Sequence, residues 1–138
     1  MNTMSRIEKD RITSLISQEL DNDKRVIFAY LHGSFVYGTF FRDIDIFVYI
    51  RKDEDTFVTQ SSIRDNISEA VIDAGFHNIG IDDFDVRVMN DAPYDFVIDI
   101  LDKGTLLVDK NRELRTDYIE RISDQYRVNY FILDEAYR

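Results

Sequence analysis

Two aspartates in a strand-like segment have the spacing most suggestive of chemistry. Asp43 and Asp45 occupy alternate positions of DIDIFVYI, residues 43–50, and the other alternating set of this segment, which starts at Ile44, is apolar. Because side chains alternate between the two faces of a strand, both carboxylates are expected on the face opposite the core. Neighbouring carboxylates repel each other unless a cation is present, and oxygen ligands of this kind suit Mg²⁺. Alone, such a pair is usually a solvated strand edge or turn. Together with the Gly-Ser turn that precedes it, the pair predicts a magnesium site.

A third aspartate repeats the pattern in DFDVRVM, residues 83–89. There Asp85 and Arg87 alternate with apolar residues and are expected on one face. If this strand lies beside the first one, Asp85 joins the same site. Three carboxylates would then hold two cations that clamp the attacking and leaving oxygens of an in-line displacement. Arg87 has two interpretations, an ion pair with Asp85 or a contact to phosphate.

Gly33 and Ser34 supply the features of a phosphate site. They follow the apolar, aromatic-rich segment VIFAYLH, residues 26–32, which is predicted to be a buried strand. A glycine permits a tight turn and close approach of the backbone to a ligand. We expect the next residues to start a short helix whose N–H groups, with the Ser34 hydroxyl, face a phosphate. His32 could touch that phosphate or be an ordinary strand-end histidine.

The elements that position these residues follow from periodicity. Apolar residues recur at helical spacing in four segments, and four short runs are typical of strands. The second helix is predicted to start at Ser62, because Ser62 and Asp65 have capping-box spacing. We expect one domain spanning residues 1–138, an α+β fold whose mixed sheet of about four strands has helices packed on one face. The predicted helices are 5–20, 62–74, 93–104 and 112–135, and the predicted strands are 26–32, 43–50, 83–89 and 105–110.

Composition narrows the classes of partner. The 138 residues include 17 basic and 27 acidic ones, a formal net charge of -10, so polymeric nucleic acid is not an expected partner. A nucleoside triphosphate bridged by Mg²⁺, or a basic protein, suits this charge. The chain has no cysteine, which excludes disulfides, thiolate zinc sites and a cysteine nucleophile. With no apolar run near the ~20 residues of a membrane span and no signal-peptide pattern, we expect a cytoplasmic protein without a membrane partner.

Taken together, the order strand, Gly-Ser, short helix, Asp-x-Asp and a later third aspartate resembles the nucleotidyltransferase superfamily related to DNA polymerase β. The sequence is most similar to the minimal nucleotidyltransferase (MNT) family, the antitoxin partners of HEPN toxins. In that family the third aspartate typically starts a segment like the one in FDVRVMNDAP, residues 84–93, where Asp85 is in place. The resemblance covers about residues 5–135.

The resemblance implies specific roles. Gly33 and Ser34 would bind the triphosphate of ATP, and Asp43, Asp45 and Asp85 would be the catalytic residues that bind Mg²⁺. The expected activity is protein adenylyltransferase: transfer of AMP from ATP to a tyrosine of a HEPN-type toxin, which the chain would silence as its antitoxin. A homo-oligomer is also compatible with the sequence.

Two other functions remain open at this stage. In one, the chain is a non-catalytic antitoxin that masks its partner by binding; the short stretch FVYGTFFR between Ser34 and Asp43 favours this alternative, and the complete set of three aspartates favours catalysis. In the other, it is a small-molecule nucleotidyltransferase, although a chain of this length offers no second domain for an acceptor pocket.

Overall fold

The computed structural model of the chain describes residues 2–38 and 40–136. Its helices are α1 (Arg6–Asn22), α2 (Ser34–Tyr37), α3 (Thr56–Asp73), α4 (Tyr94–Lys103) and α5 (Arg112–Ala136). Its strands are β1 (Asn2–Thr3), β2 (Val26–His32), β3 (Phe40–Phe41), β4 (Ile44–Ile50), β5 (Phe84–Val88) and β6 (Thr105–Asp109). A 3₁₀ turn, Ile81–Asp83, leads into β5.

A four-stranded sheet in the order β5-β4-β2-β6 forms the centre of the molecule. The pairs β2–β4 and β2–β6 are antiparallel, whereas β4 and β5 run parallel, so the sheet is mixed. The short strands β1 and β3 form a separate antiparallel ladder. The predicted α+β fold with a mixed sheet of about four strands is confirmed. The β1–β3 ladder was not predicted, because strands of two residues carry no alternation pattern.

One face of the sheet packs against α1 and α3. The apolar positions of β4 point to this side, and they meet isoleucines and a leucine that recur at helical spacing along the two helices. These side chains are almost completely removed from solvent, and each contributes roughly 1.5–3 kcal/mol of hydrophobic stabilisation. They are Ile44, Ile46 and Val48 from β4, Ile12, Ile16 and Leu20 from α1, and Ile63 and Ile67 from α3.

The opposite face of the sheet is covered by α4 and α5, so the expectation of helices on one face only was wrong. Phe28 and Tyr30 of β2 and Phe47 and Tyr49 of β4 are buried beneath these two helices. β2 and β4 are the central strands, and their large aromatic side chains on this face need an apolar cover. Phe47 and Tyr49 continue the face that carries Asp45, which is itself only partly buried. Helices α4 and α5 therefore cover this face of the sheet except at the end that carries Asp45.

Helix α3 begins six residues earlier than its predicted start. Asp55 is the N-cap, and its carboxylate accepts a hydrogen bond from the Val58 N–H at 2.8 Å. Such a cap satisfies one of the free N–H groups of the first turn. Ser62 and Asp65 therefore lie inside the helix, where their spacing has no capping role. The other predicted helices and strands agree with the structure to within a few residues.

The sequence predicts an apolar and aromatic stripe along helix α5, and its member Ile122 is buried as expected. The predicted members are Ile119, Ile122, Tyr126, Tyr130, Leu133 and Tyr137. Tyr118 and Ile122 are buried in the core, and the Tyr118 hydroxyl donates to the Met89 carbonyl at 2.9 Å. Tyr126 is 43% exposed, and its ring contacts Tyr94 at 6.5 Å between centroids. Tyr137, the last member of the predicted stripe, lies outside the described residues. Across residues 2–38 and 40–136, no helix has the length and apolar character needed to span a membrane.

Candidate active site

Asp45 and Asp85 are direct neighbours across the parallel pair of strands β4 and β5. The register pairs Asp45 with Asp85 and, two residues on, Phe47 with Arg87. Because side chains at paired positions share a face, the two carboxylates lie side by side on the face opposite the isoleucine core. The pairing of these two predicted site residues is a tertiary feature that the alternation within each segment could only suggest.

Asp43 precedes β4 and is exposed, so it does not share the strand as the sequence predicted. Its charge nevertheless acts on the Asp45 carboxylate. Burial raises the pKa of Asp45 above its ordinary value, and the negative charges of Asp85 and Asp43 raise it further. The three aspartates therefore form one electrostatic cluster in which an ionised Asp45 is disfavoured when no cation is present.

Gly33 brings the Gly-Ser turn directly against this cluster. Its φ of 92° lies in the region that side chains rarely adopt, which permits the sharp change of direction after β2. A Cβ at this position would overlap the Oδ2 atom of Asp45. The antiparallel register also places His32 opposite Asp45. The structure thus places the predicted phosphate turn next to Asp45.

Ser34 is the exposed first residue of the four-residue helix α2, which ends at Gly38. Lys9 of α1 holds this short helix in place. Its Nζ donates to the Gly38 carbonyl and lies 5.4 Å from the ring centroid of Phe35 and 5.6 Å from that of Phe41. Lys9 was not a predicted site residue, because nothing in its local sequence pattern indicates a contact with a residue 29 positions away.

His32 makes contacts that support the structural one of its two predicted roles. Its Nε2 lies 3.0 Å from the Oδ2 of Asp99 on α4, and its ring meets Phe47 edge-on at 6.1 Å between centroids. Asp99 also pairs with Lys103 at 3.1 Å, one turn further along α4. His32 therefore links the end of β2 to α4 beside the aspartate cluster.

Arg87 forms an ion pair with Asp85, which confirms one of its two predicted roles. Its Nη2 lies 3.1 Å from the Asp85 Oδ2, and its Nε donates to the Asp85 Oδ1 at 3.3 Å. Over the residues that the structure describes, no three Asp, Glu, His or Cys side chains are oriented to hold a metal ion as they stand. The carboxylates have the right chemistry for Mg²⁺. A cation at Asp85 would have to compete with the Arg87 guanidinium.

A groove of about 360 Å³ opens beside Asp43 and Asp85. Helix α3 forms its far wall and is tied to the edge strand by two side chains. The Gln60 Oε1 accepts from the Val88 N–H at 2.8 Å, and the Arg64 Nε donates to the Phe84 carbonyl at 3.0 Å. The wall consists of Phe57, Gln60, Ser61 and Arg64. It was not predicted, because the predicted start of this helix at Ser62 leaves most of these residues outside the helix.

Comparison with known proteins agrees with this arrangement. The family described as "Polymerase beta, Nucleotidyltransferase" matches residues 15–113. A search of curated proteins found no significant match.

Solved structures of toxin–antitoxin complexes have similar folds. A chain of a toxin–antitoxin structure with AMP-PNP superposes with a TM-score of 0.64 at 20% identity, covering 91% of this chain and 98% of that one. A chain from a complex of tri-AMPylated Shewanella oneidensis HEPN toxin with MNT antitoxin gives 0.58 at 17% identity, covering 98% and 100%. A chain of the toxin–antitoxin MntA–HepT gives 0.57 at 16% identity, covering 97% and 100%.

At these identities the structural similarity shows a shared fold, and the family match extends over most of the chain, from the middle of α1 to the start of α5. The matched region includes the Gly-Ser turn and all three aspartates. The chain therefore belongs to the polymerase β nucleotidyltransferase family.

Proposed function

We propose that this chain transfers AMP from ATP to a tyrosine hydroxyl of a HEPN-family toxin and in this way acts as its antitoxin. The observation that carries the proposal is the position of Asp45, which lies between Gly33 on one side and Asp85 on the other. A turn suited to phosphate and a set of carboxylates suited to Mg²⁺ thus meet at one point. The similar structures support the choice of reaction and partner, since one contains an MNT antitoxin with an AMPylated HEPN toxin.

In this proposal Gly33 and Ser34 bind the triphosphate. The missing side chain of Gly33 lets a phosphate approach the backbone closely, and the exposed Ser34 hydroxyl donates a hydrogen bond to it. Lys9 keeps the turn in position through its contact with Gly38. The chain's own contribution at this end of the site is therefore to orient the leaving pyrophosphate.

Asp43, Asp45 and Asp85 would hold Mg²⁺. The cluster fits a cation, because the pKa of Asp45 is raised by burial and by its two like-charged neighbours, a penalty that a cation removes. When bound, Mg²⁺ neutralises charge on the triphosphate and on the leaving pyrophosphate.

Asp85 lines the groove from which an acceptor can approach, and it is paired in register with Asp45. The tyrosyl oxygen forms a bond to the α-phosphorus while the bond from that phosphorus to the bridging oxygen of the β-phosphate breaks. Pyrophosphate leaves, and the hydroxyl proton passes to the Asp85 carboxylate and then to solvent. For this role Asp85 must be released from its ion pair with Arg87.

That same ion pair favours the alternative of an antitoxin that masks its partner without catalysis. Asp85 is already neutralised by Arg87, and a protein that only masks has no need to release it. Intact-protein mass spectrometry on a HEPN-family partner separates the two functions. With ATP and Mg²⁺, the proposal expects an increment of about 329 Da per AMP on the partner, the mass added by adenylyl transfer.

Asp85→Asn is the informative variant. It should reduce transfer by about a hundredfold or more, the scale of a lost proton acceptor, and leave formation of the complex unchanged. Asp53→Asn, an equivalent change at an exposed aspartate away from the site, should transfer normally. Neutralisation of the toxin with no mass increment, unaffected by Asp85→Asn, would establish masking instead.

A further inference from the structure

We infer that the groove beside Asp85 receives the acceptor tyrosine from a basic segment of the partner, and that Phe57 is its principal contact. The inference rests on the proposed function and adds to it the place and the chemistry of the acceptor. The groove is bounded on one side by α3 and on the other by β5 and the turn before it. Its lining residues are Asp43, Phe57, Gln60, Ser61, Arg64, Asp82, Phe84, Asp85 and Val86.

The order of the strands determines the side from which the acceptor approaches. Gly33 follows β2, Asp45 lies on β4 and Asp85 lies on β5, and these three strands are consecutive neighbours in the sheet. In an in-line displacement the attacking oxygen and the leaving group lie on opposite sides of the phosphorus. If the pyrophosphate points toward Gly33, the acceptor hydroxyl enters from the side of Asp85. The groove opens on that side.

Phe57 has the properties of an interface anchor. Its side chain is 76% exposed although it is a large aromatic residue, and it stands in the first turn of α3 at the edge of the groove. The Asp55 cap fixes this turn, so the ring is presented from a rigid element. Exposed aromatic side chains with this support often contribute much of the binding free energy of an interface. An aromatic acceptor side chain can stack on the Phe57 ring or meet it edge-on.

The charges around the groove specify the residues next to the acceptor. Asp43, Asp82 and Asp85 contribute three carboxylates, of which Asp85 is paired with Arg87. Arg64 is the cation on the wall, and its guanidinium is already engaged with the Ile81 and Phe84 carbonyls and with Asp82. A segment bearing lysine or arginine beside the tyrosine complements this surface, and an acidic segment is repelled.

Site-directed cross-linking tests the location directly. The chain contains no cysteine, so Ser61→Cys creates a unique attachment point for a benzophenone maleimide on the exposed wall of the groove. The labelled protein is irradiated with the HEPN-family partner, Mg²⁺ and α,β-methylene ATP, which cannot donate AMP. The expected cross-linked peptide of the partner contains or adjoins the tyrosine that accepts AMP in the unlabelled reaction. Ser14→Cys, at an exposed serine of α1, is the matched control and should not label that peptide.

Kinetics test the contact. Phe57→Ala should raise the KM for the partner about tenfold, as expected for an interface anchor, and leave the dissociation constant for α,β-methylene ATP unchanged. Ile7→Ala removes an equally exposed apolar side chain, 75% against 76%, and should change neither quantity.

The outcomes for the groove and for the reaction are separable. A mass increment on the partner with no cross-link from position 61 to the accepting region would overturn the groove and retain the transferase. Cross-linking from position 61 with no mass increment would retain the docking surface and overturn the transferase. An unchanged KM in Phe57→Ala would reject Phe57 as the anchor.

Discussion

The backbone of Gly33 lies against the carboxylate of Asp45, so closely that a Cβ on the glycine would overlap the Oδ2 atom. This contact joins the Gly-Ser turn after β2 to Asp45 on β4. It means that the turn and the carboxylate cannot be altered independently.

Gly33→Ala should therefore impair nucleotide binding more than an alanine substitution usually does. The new methyl group displaces the Asp45 carboxylate, and the positive φ adds roughly 1–3 kcal/mol of backbone strain. We expect the affinity for α,β-methylene ATP to fall at least about tenfold in calorimetry. Gly80→Ala is the matched control, since a Cβ there meets no atom within 4 Å and its φ is negative. Equal loss of affinity in both variants would contradict the contact.

The raised pKa of Asp45 predicts a dependence of stability on pH. Burial and the charges of Asp85 and Asp43 raise it, so the native state binds this proton more tightly than the unfolded chain does. The free energy of unfolding therefore decreases as the pH rises from the pKa of Asp45 in the unfolded chain to its higher pKa in the folded protein. Above the folded pKa, the ionised carboxylate destabilises the folded protein to its full extent.

Asp45→Asn should remove the destabilisation that the ionised Asp45 carboxylate causes in the folded protein. With solvent screening of a half-exposed group allowed for, we expect the Tm at pH 7 in the absence of metal to rise by about 2 °C. The gain should shrink as the pH is lowered toward 4, because wild-type Asp45 then becomes protonated. Thermal melts of both proteins across this range measure the difference. A variant that melts below the wild type at pH 7 would show that the carboxylate makes a stabilising contact instead.

Much of the site was accessible from alternation alone. Asp45 and Asp85 have the predicted orientation because strands impose a period of two on their side chains. The Gly33 turn was predicted from a glycine that follows a buried strand. Asp43 lies just outside β4, since the boundary of a strand depends on its neighbours. The pairing of Asp45 with Asp85 depends on the order of strands in the sheet, which local pattern does not encode.

The parts that could not be predicted share one cause. The wall of the groove and the Lys9 contact are made by residues whose importance comes from tertiary position. The spacing of Ser62 and Asp65 even indicated a helix start that the structure does not have. Asp55 is the residue that caps the helix, but the sequence around it has no capping box. Three residues after Asp55 stands Val58, where a capping box has Glu or Gln.

The ion pair between Arg87 and Asp85 predicts competition between the guanidinium and a metal ion. The side chains are 60% and 38% exposed, so the pair is worth at most about 1 kcal/mol. Arg87→Gln should therefore tighten binding of Mn²⁺ to the nucleotide-free protein by about two- to fivefold, measured by electron paramagnetic resonance. Arg51→Gln, which breaks the distant pair with Asp53, should leave the affinity unchanged. Weaker binding in Arg87→Gln would mean that Arg87 assists the metal site.

Lys9 offers a test of how the phosphate turn is held. Lys9→Met removes the hydrogen bond to Gly38 and the two cation–π contacts, which should cost roughly 1–2 kcal/mol in the free energy of unfolding. Affinity for α,β-methylene ATP should fall with it, and Lys9→Arg should restore part of both. Urea denaturation and calorimetry provide the two measurements, with Lys24→Met at an exposed site as control. Loss of stability with unchanged nucleotide affinity would separate Lys9 from the turn's function.

The contacts that Gln60 and Arg64 make with β5 have a further consequence. A strand at the edge of a sheet presents unpaired N–H and C=O groups, which invite another chain to pair with it and aggregate. Here the Val88 N–H and the Phe84 carbonyl are taken by side chains of α3, which occupy the place of a neighbouring strand. A partner that extended the sheet at this edge would therefore have to displace the Gln60 and Arg64 side chains, because the Val88 N–H and the Phe84 carbonyl are already engaged.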